Sequence, residues 1–261
     1  MSRHYKPLPV LARGEDWIVI AKPPRLVVHR TEGARFDYAA LQRVRDMVGR
    51  HVFPIHRLDR GASGCLLFAT EQAAAGPLHA ALARPDTVKT YLAFTRGWFK
   101  QDGEVLIERP MKDDNGILKE ASSVVDCLGR SRDPRCSLLR VRPRTGRWHQ
   151  VRRHVRDLTH PIVGDANHGD TKINRWWKVE HGIKRLGLHA VSLELTFPDG
   201  ERRRFVSPLF KDHSKLFRRM PWWDEASALE PALALPALPM LDSSNSPDNA
   251  NSPEPDQAAE R

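Results

Sequence analysis

No stretch of this sequence holds 18 consecutive apolar residues, so no membrane-spanning helix is expected and no membrane partner follows. The opening residues, MSRHYKPLPVLARGEDW, lack the apolar segment that a signal peptide requires, which makes the cytoplasm the expected location. Cysteine is scarce: Cys65, Cys127 and Cys136 cannot build a disulfide framework, and none sits in a C-x-x-C pair. Cys65, inside the apolar run CLLFA, reads as a small buried hydrophobe. The histidines show no H-E-x-x-H or comparable ligand spacing, and no phosphate loop or dinucleotide fingerprint occurs. Neither a metal nor a cofactor is therefore expected, and a catalyst here would work with its own side chains. There is no internal repeat.

Positive charge is what the chain has in excess. The formal net charge is +10 and the isoelectric point near 9.9. From Asp224 onward there are eight acidic residues against one arginine; that local −7, set against the overall +10, leaves +17 on the first 223 residues. A body this basic points to nucleic acid ahead of an anionic membrane or an acidic protein. A basic surface without a specific partner is the plain alternative. The segment 224–261 is rich in Pro, Ala, Ser and Asp and shows no helical or strand period after Met240, so it is expected to be mostly disordered.

The rest alternates between patterns. Trp17–Ala21 reads as a strand ended by Pro23-Pro24, and Tyr38, Leu41, Val44 and Val48 predict a helix over 37–48 closed near Gly49. GCLLFA predicts a buried strand, and EQAAAGPLHAALA a helix weakened by Gly76-Pro77. In TVKTYLAFTRG, Val88, Thr90, Leu92 and Phe94 fall on one face, and Lys89, Tyr91 and Ala93 on the other, more polar one. Further strands are expected at 121–127, 136–142, 188–197 and 203–206. Trp148, Val151 and Val155 predict the buried stripe of a helix over 147–158. Many strands with a few helices out of βα alternation indicate an α+β fold.

Two segments carry chemistry. In HRLDRGASG, Asp59 stands between Arg57 and Arg60 where an exposed loop runs into a packed strand, the kind of place where reactive groups collect. A lone Asp beside arginines is otherwise a structural ion pair. In RVRPRTGRWHQVRRHVR, residues 140–156, seven arginines accompany Trp148 and two histidines, as in a phosphate-gripping surface with a stacking platform. Arg152 lies beside the expected apolar stripe and needs an anion. Arg147, Arg153 and Arg156 are better placed for phosphates or solvent. Tyr91 is a third candidate: an amphipathic boundary residue by default, a stacking partner for a base if it faces a cleft.

These segments together resemble the RluA-type pseudouridine synthases. HRLDRGASG is similar to that family's H-R-L-D-x-x-T-S-G motif, KTYLAFTRG to its tyrosine-bearing strand, and TGRWHQVRRH to T-G-R-x-H-Q-[ILV]-R. HPIVGDANHGD and LGLHA follow in the same order, so the resemblance spans about residues 14–210. VRDMVGRHVFPIHRLDR and GDANHGDTKINR are most similar to the members that act on tRNA. The resemblance implies a catalytic domain over 14–223 with a central mixed or antiparallel sheet, flanking helices and an RNA-binding cleft. Residues 1–13 would be an N-terminal extension, no S4-like domain is expected, and the enzyme would act as a monomer on RNA, with tRNA as substrate.

Residue by residue, the resemblance implies that Asp59 is the catalytic aspartate, Tyr91 packs on the target base, and Arg152 pairs with the aspartate. It implies that Leu188 lines the base pocket and that Arg57 fills the gap left by the flipped nucleotide. Arg60, Arg144, Arg147, Trp148, Arg153 and Arg156 are the expected RNA contacts. The reaction detaches uracil from ribose, turns it and rejoins it through carbon 5; substrate and product share the same atoms, so no redox cofactor is needed. Two positions depart from the pattern: Ala62 replaces a threonine, and Pro24-Arg25 replaces the end of N-K-P-x-G with a turn lacking glycine. The alternatives are a ribosomal-RNA enzyme of the same family, a non-catalytic RNA-binding protein, and a hydrolase with Asp59 and Asp165 as paired carboxylates, Asp165 otherwise reading as a buried turn residue.

Overall fold

The apolar runs of the first 100 residues form the middle of a large sheet. The structure, a computed structural model, describes residues 7–29, 39–113 and 115–240. Strand β1 (Val10–Arg13) pairs antiparallel with β2 (Trp17–Lys22). Helix α1 (Ala40–Val48) buries Ala40 and Val44 and ends at Gly49; Tyr38, expected in the same helix, lies outside the described residues. A short β3 (Phe53–Pro54) leads through the HRLDRGA loop into β4 (Ser63–Ala69), which is buried along its whole length. Helix α2 (Gln72–Ala83) runs through Pro77 without a break, docking Ala74, Leu78 and Ala81 on the sheet.

Next come β5 (Val88–Arg96) and β6 (Val105–Glu108), a two-residue ladder of β7 (Met111–Lys112) with β8 (Leu118–Lys119), and the long hairpin of β9 (Ser122–Arg132) and β10 (Arg135–Pro143). Helices α3 (Gln150–Asp157) and α4 (Thr171–His181) precede β11 (Leu188–Thr196) and β12 (Arg202–Val206). Helices α5 (Lys211–Phe217) and α6 (Trp223–Leu229) close the described chain, followed by a 3₁₀ turn at Pro231–Ala234. Among the described residues ten strands make one sheet, ordered β1-β2-β4-β11-β5-β10-β9-β6, with β12 against β11 and β3 against β4. All its pairings are antiparallel except β4 with β11. The α+β expectation holds.

That one parallel pairing positions the site. His189 pairs with Ser63 and Ala190 with Gly64, while on the other edge of β11 Leu188 pairs with Ala93 and Ala190 with Tyr91. Gly64 adopts φ +118°, and a Cβ there would lie 2.1 Å from the Ala190 carbonyl oxygen, so only glycine permits the contact. The Asp59 loop, the tyrosine strand and the start of β11 therefore converge at the sheet's centre.

Four expectations need correcting. The face of β5 expected to be the more polar one is packed: Ala93 is buried and Tyr91 half-buried, both in a cluster with Val141, Leu186 and Leu188. The 147–158 helix starts only at Gln150, because His149 adopts a left-handed φ of 53° that a right-handed helix cannot continue through. Trp148 is thus half exposed rather than part of the buried stripe, while Val151 and Val155 are buried as expected. The N-terminal extension does not reach residue 13, since Leu8 is buried and Val10–Arg13 is a strand of the sheet. Finally, the acidic segment is ordered as far as Met240. Ala226, Ala232 and Leu233 enter the core with Leu128, Phe217 and Trp222, and Leu238 exchanges backbone bonds with Leu209 and Lys211. Short apolar turns need no long period when a finished sheet face waits to receive them. Residues 241–261 lie outside the described residues.

Candidate active site

The HRLDRGA loop is pinned before it can carry chemistry. His56 accepts a hydrogen bond at Nε2 from the Leu67 amide (3.1 Å), fastening the loop's start to β4. Its far end turns tightly, the Ala62 amide donating to the Asp59 carbonyl (3.1 Å). Ala62 is 1% exposed among Leu139, Val141 and Leu186, so the missing threonine hydroxyl leaves an apolar contact in its place. The buried Lys22 ammonium donates to the carbonyls of Pro23 (2.9 Å), Leu26 (2.7 Å) and Arg60 (3.4 Å), tying the neighbouring turn to the same loop. Burial, then the nearby Arg185 charge, brings Lys22 down to about 7, against the opposing pull of Asp59.

Asp59 emerges from this loop into a cavity of about 630 Å³, large enough for a nucleobase and its ribose. Arg25, Arg57, Arg60, Arg152, Lys184 and Arg185 line the cavity around it, with Leu58 and Leu186 as apolar wall. Arg57 is exposed and has no carboxylate partner among the described residues. Arg152 donates from Nη1 to Asp59 Oδ2 at 3.1 Å. Its stronger partner is Asp165, which takes Nε at 2.8 Å and Nη2 at 2.7 Å and also accepts the amides of Asn167 and His168. Burial alone would raise the Asp165 carboxyl; the guanidinium and the two amides outweigh it and hold the group below its usual range. One buried arginine thus spans two aspartates, fixed by one and offered to the other.

The segment TGRWHQ is organised by Gln150. Its side-chain oxygen accepts from the Thr145 hydroxyl (2.7 Å) and the Arg147 amide (3.0 Å), and its nitrogen donates to Ser122 O and Ser123 Oγ. This lock sets His149 on the cavity wall, its Nε2 3.9 Å from Asp59 Oδ2 and its Nδ1 2.9 Å from His168 Nε2. Burial, reinforced by Arg152, lowers His149 to about 4, so it is neutral near pH 7 despite Asp59. Trp148 stacks on the imidazole, centroids 3.7 Å apart.

Of the residues singled out from the sequence, Asp59, Arg57, Arg60 and Arg152 line one cavity. Tyr91 and Leu188 do not line it. Leu186 supplies the aliphatic wall, and Leu188, 3% exposed, packs behind it in a cluster that includes Tyr91. Burial, and secondarily the charge of Asp59, raises the Tyr91 phenol, which is therefore a neutral hydroxyl. Arg144, Arg147 and Arg156 are exposed and Arg153 half-buried, all outside the cavity; Arg147 donates to Glu120 O and Arg156 pairs with Asp157. Sequence reasoning missed Lys22, Gln150, His149 and the Lys184–Leu186 wall. Asp165 is the buried turn residue that its sequence context predicts: its side chain is 0% exposed, which removes it as a partner carboxylate for hydrolysis.

A family profile described as RNA pseudouridylate synthase matches residues 16–157. The tRNA pseudouridine synthase C of Vibrio vulnificus is 33% identical over 235 residues, covering 82% of this chain and 96% of that protein. The protein of the same name from Pasteurella multocida is 37% identical over 214 residues, covering 73% and 86%. The solved structure of human RNA pseudouridylate synthase domain containing 1 matches with a TM-score of 0.64 at 24% identity, over 88% of this chain and 96% of that one, and shares the fold. A carboxylate held by an arginine in a cationic cleft, on this fold and at this level of identity, leaves one assignment: the chain belongs to the RNA pseudouridylate synthase family.

Proposed function

We propose that this enzyme isomerises a uridine of tRNA to pseudouridine, with Asp59 as the catalytic carboxylate. The observation that carries the reading is the placement of Asp59: the one carboxylate among the residues lining a nucleotide-sized cavity that also holds six lysine and arginine side chains. A protein that only gripped RNA would gain nothing from an anion where phosphates must approach.

The target base must leave its stack, which costs a few kcal/mol. Arg57, exposed and without a carboxylate partner among the described residues, fills the vacated space with a planar cation that stacks on the neighbouring bases. The uracil enters between Leu58 and Leu186, with Leu188 and Tyr91 packed behind the Leu186 wall. Arg152 donates to Asp59 Oδ2 at 3.1 Å and so fixes the direction in which the carboxylate faces the bound nucleotide. Asp59 then acts on the bond between C1′ and N1, either as nucleophile or as base toward the ribose. The freed base turns within the closed surround, C1′ bonds to C5, the C5 proton departs and N1 gains one. Confinement keeps the cleaved base within reach of the sugar. Arg60, Arg144, Arg147, Arg153, Arg156 and Trp148 grip the flanking RNA, the family activity being exercised by a monomer without a metal.

The test is a pseudouridine map of total tRNA and ribosomal RNA from a deletion strain, restored with wild type or with Asp59→Asn. One tRNA uridine is expected to lose and regain its modification with wild type only. A missing site in ribosomal RNA would overturn the substrate, and restoration by Asp59→Asn would overturn the role of the aspartate.

A further inference from the structure

Arg25 holds a backbone conformation that its side chain makes costly. It follows Pro23-Pro24 with φ +67°, in the left-handed region that glycine enters freely and other residues avoid. A turn opened by proline reserves this position for glycine, and here an arginine stands in it. An outlier of this kind on a cleft wall points to the side chain as the reason the strain persists.

The side chain has a definite place. Its Nη2 donates to the Lys184 carbonyl at 3.0 Å, linking the turn to the opposite wall, and its own carbonyl accepts from Arg60 Nε at 3.3 Å. The Lys22 ammonium binds carbonyls on the turn and on the Asp59 loop together, so Arg25 and the aspartate share one rigid mount. The guanidinium is exposed on the cavity wall, with no carboxylate paired to it among the described residues. Its remaining N–H groups form a fork suited to an oxyanion. A nucleotide turned into the cavity leaves its chain crossing the rim, and its flanking phosphates pass Arg25, Arg57 and Arg60.

We propose that Arg25 is a substrate-binding residue of the isomerisation, gripping an RNA backbone phosphate beside the flipped uridine; this rests on the reading of the cavity as the uridine site. The left-handed turn is what aims the guanidinium at the rim, and the Lys184 bond holds it there before RNA arrives.

The test compares wild type, Arg25→Gly and Arg25→Lys with full-length tRNA as substrate. Arg25→Gly is expected to melt no lower than wild type, because glycine relieves the turn. Its KM is expected to rise about tenfold with kcat unchanged, and the slope of log KM against log salt to shrink by about one, the signature of one lost phosphate contact. Arg25→Lys keeps the charge but not the fork, so it should retain the salt slope with an intermediate KM. A lower melting temperature for Arg25→Gly, an unchanged KM and salt slope, or a loss confined to kcat would each overturn the proposal. If wild type converted no uridine at all, the uridine-site reading itself would fall; an active wild type with an indifferent Arg25→Gly sinks only the role of Arg25.

Discussion

Removing the Asp165 charge should damage the fold far more than removing that of Asp59, although both carboxylates hold the same arginine. The Asp165 side chain is 0% exposed and takes two guanidinium bonds of 2.7 and 2.8 Å, whereas Asp59 is 20% exposed and takes one of 3.1 Å. Asp165→Asn leaves a guanidinium, 7% exposed, facing a neutral amide. Breaking a buried pair from one side costs about 3–5 kcal/mol. At about 2–4 °C per kcal/mol for a chain of this size, the melting temperature should fall by about 6–20 °C. Asp59→Asn should cost no more than about 1 kcal/mol, its ion pair being part exposed. Arg152→Met should be at least as harmful as Asp165→Asn, since it strands a wholly buried anion. Asp165→Asn/Arg152→Met removes both charges and should recover about 2–3 kcal/mol relative to the sum of the singles. Urea titrations of the four proteins measure this coupling. Strictly additive losses, or an Asp59→Asn protein as unstable as Asp165→Asn, would refute the assignment of anchor and reagent.

Truncation should separate the packed part of the acidic segment from the rest. Ending the chain at Met240 should leave the melting temperature unchanged, while ending it at Trp223 removes buried Ala226, Ala232 and Leu233 and should cost at least about 3 kcal/mol. Stability should also fall in mild acid. Burial, then Arg185, lowers His213 well below its ordinary value, and burial, opposed by a bond to Ser207 O, lowers His189 to about 4. The unfolded chain protonates these rings near pH 6.5, so the stabilisation is complete above that pH. It drains away toward pH 4 at about 1.4 kcal/mol per pH unit per histidine; melts between pH 7 and 4.5 that stay level would contradict this. Trp148→Ala, at a half-exposed site, should leave folding intact and weaken tRNA binding by about 1–3 kcal/mol. Filter binding in the Asp59→Asn background reads that loss without turnover.

Much of the site was legible because its motifs are local. HRLDRGASG announces a charged loop entering a buried strand, and the arginine-rich segment announces an anion-binding surface; neither depends on distant contacts. The strand and helix patterns also carried most elements to within a few residues, since period-two and 3.6-residue alternation reflect burial directly. Where they failed, a non-local cause was at work. The left-handed His149 cut the expected helix short, a finished sheet face ordered a segment whose composition looked disordered, and the second covering layer turned the Tyr91 face inward.

What the sequence by itself determined is the chemistry available: a carboxylate between arginines, an arginine beside an apolar stripe, a body of charge suited to RNA, and the order of motifs that marks the family. What only the tertiary structure decided is who partners whom. Arg152 meets Asp165 before it meets Asp59, Leu186 rather than Leu188 walls the cavity, and Lys22 and Arg25 join the site from a turn more than thirty residues ahead of the catalytic loop. Such pairings depend on strands brought together across 126 residues, as Ser63 and His189 are, and on a glycine that lets two backbones touch. Residue type sets what a group can do; only the closed sheet sets what lies within hydrogen-bonding reach of it.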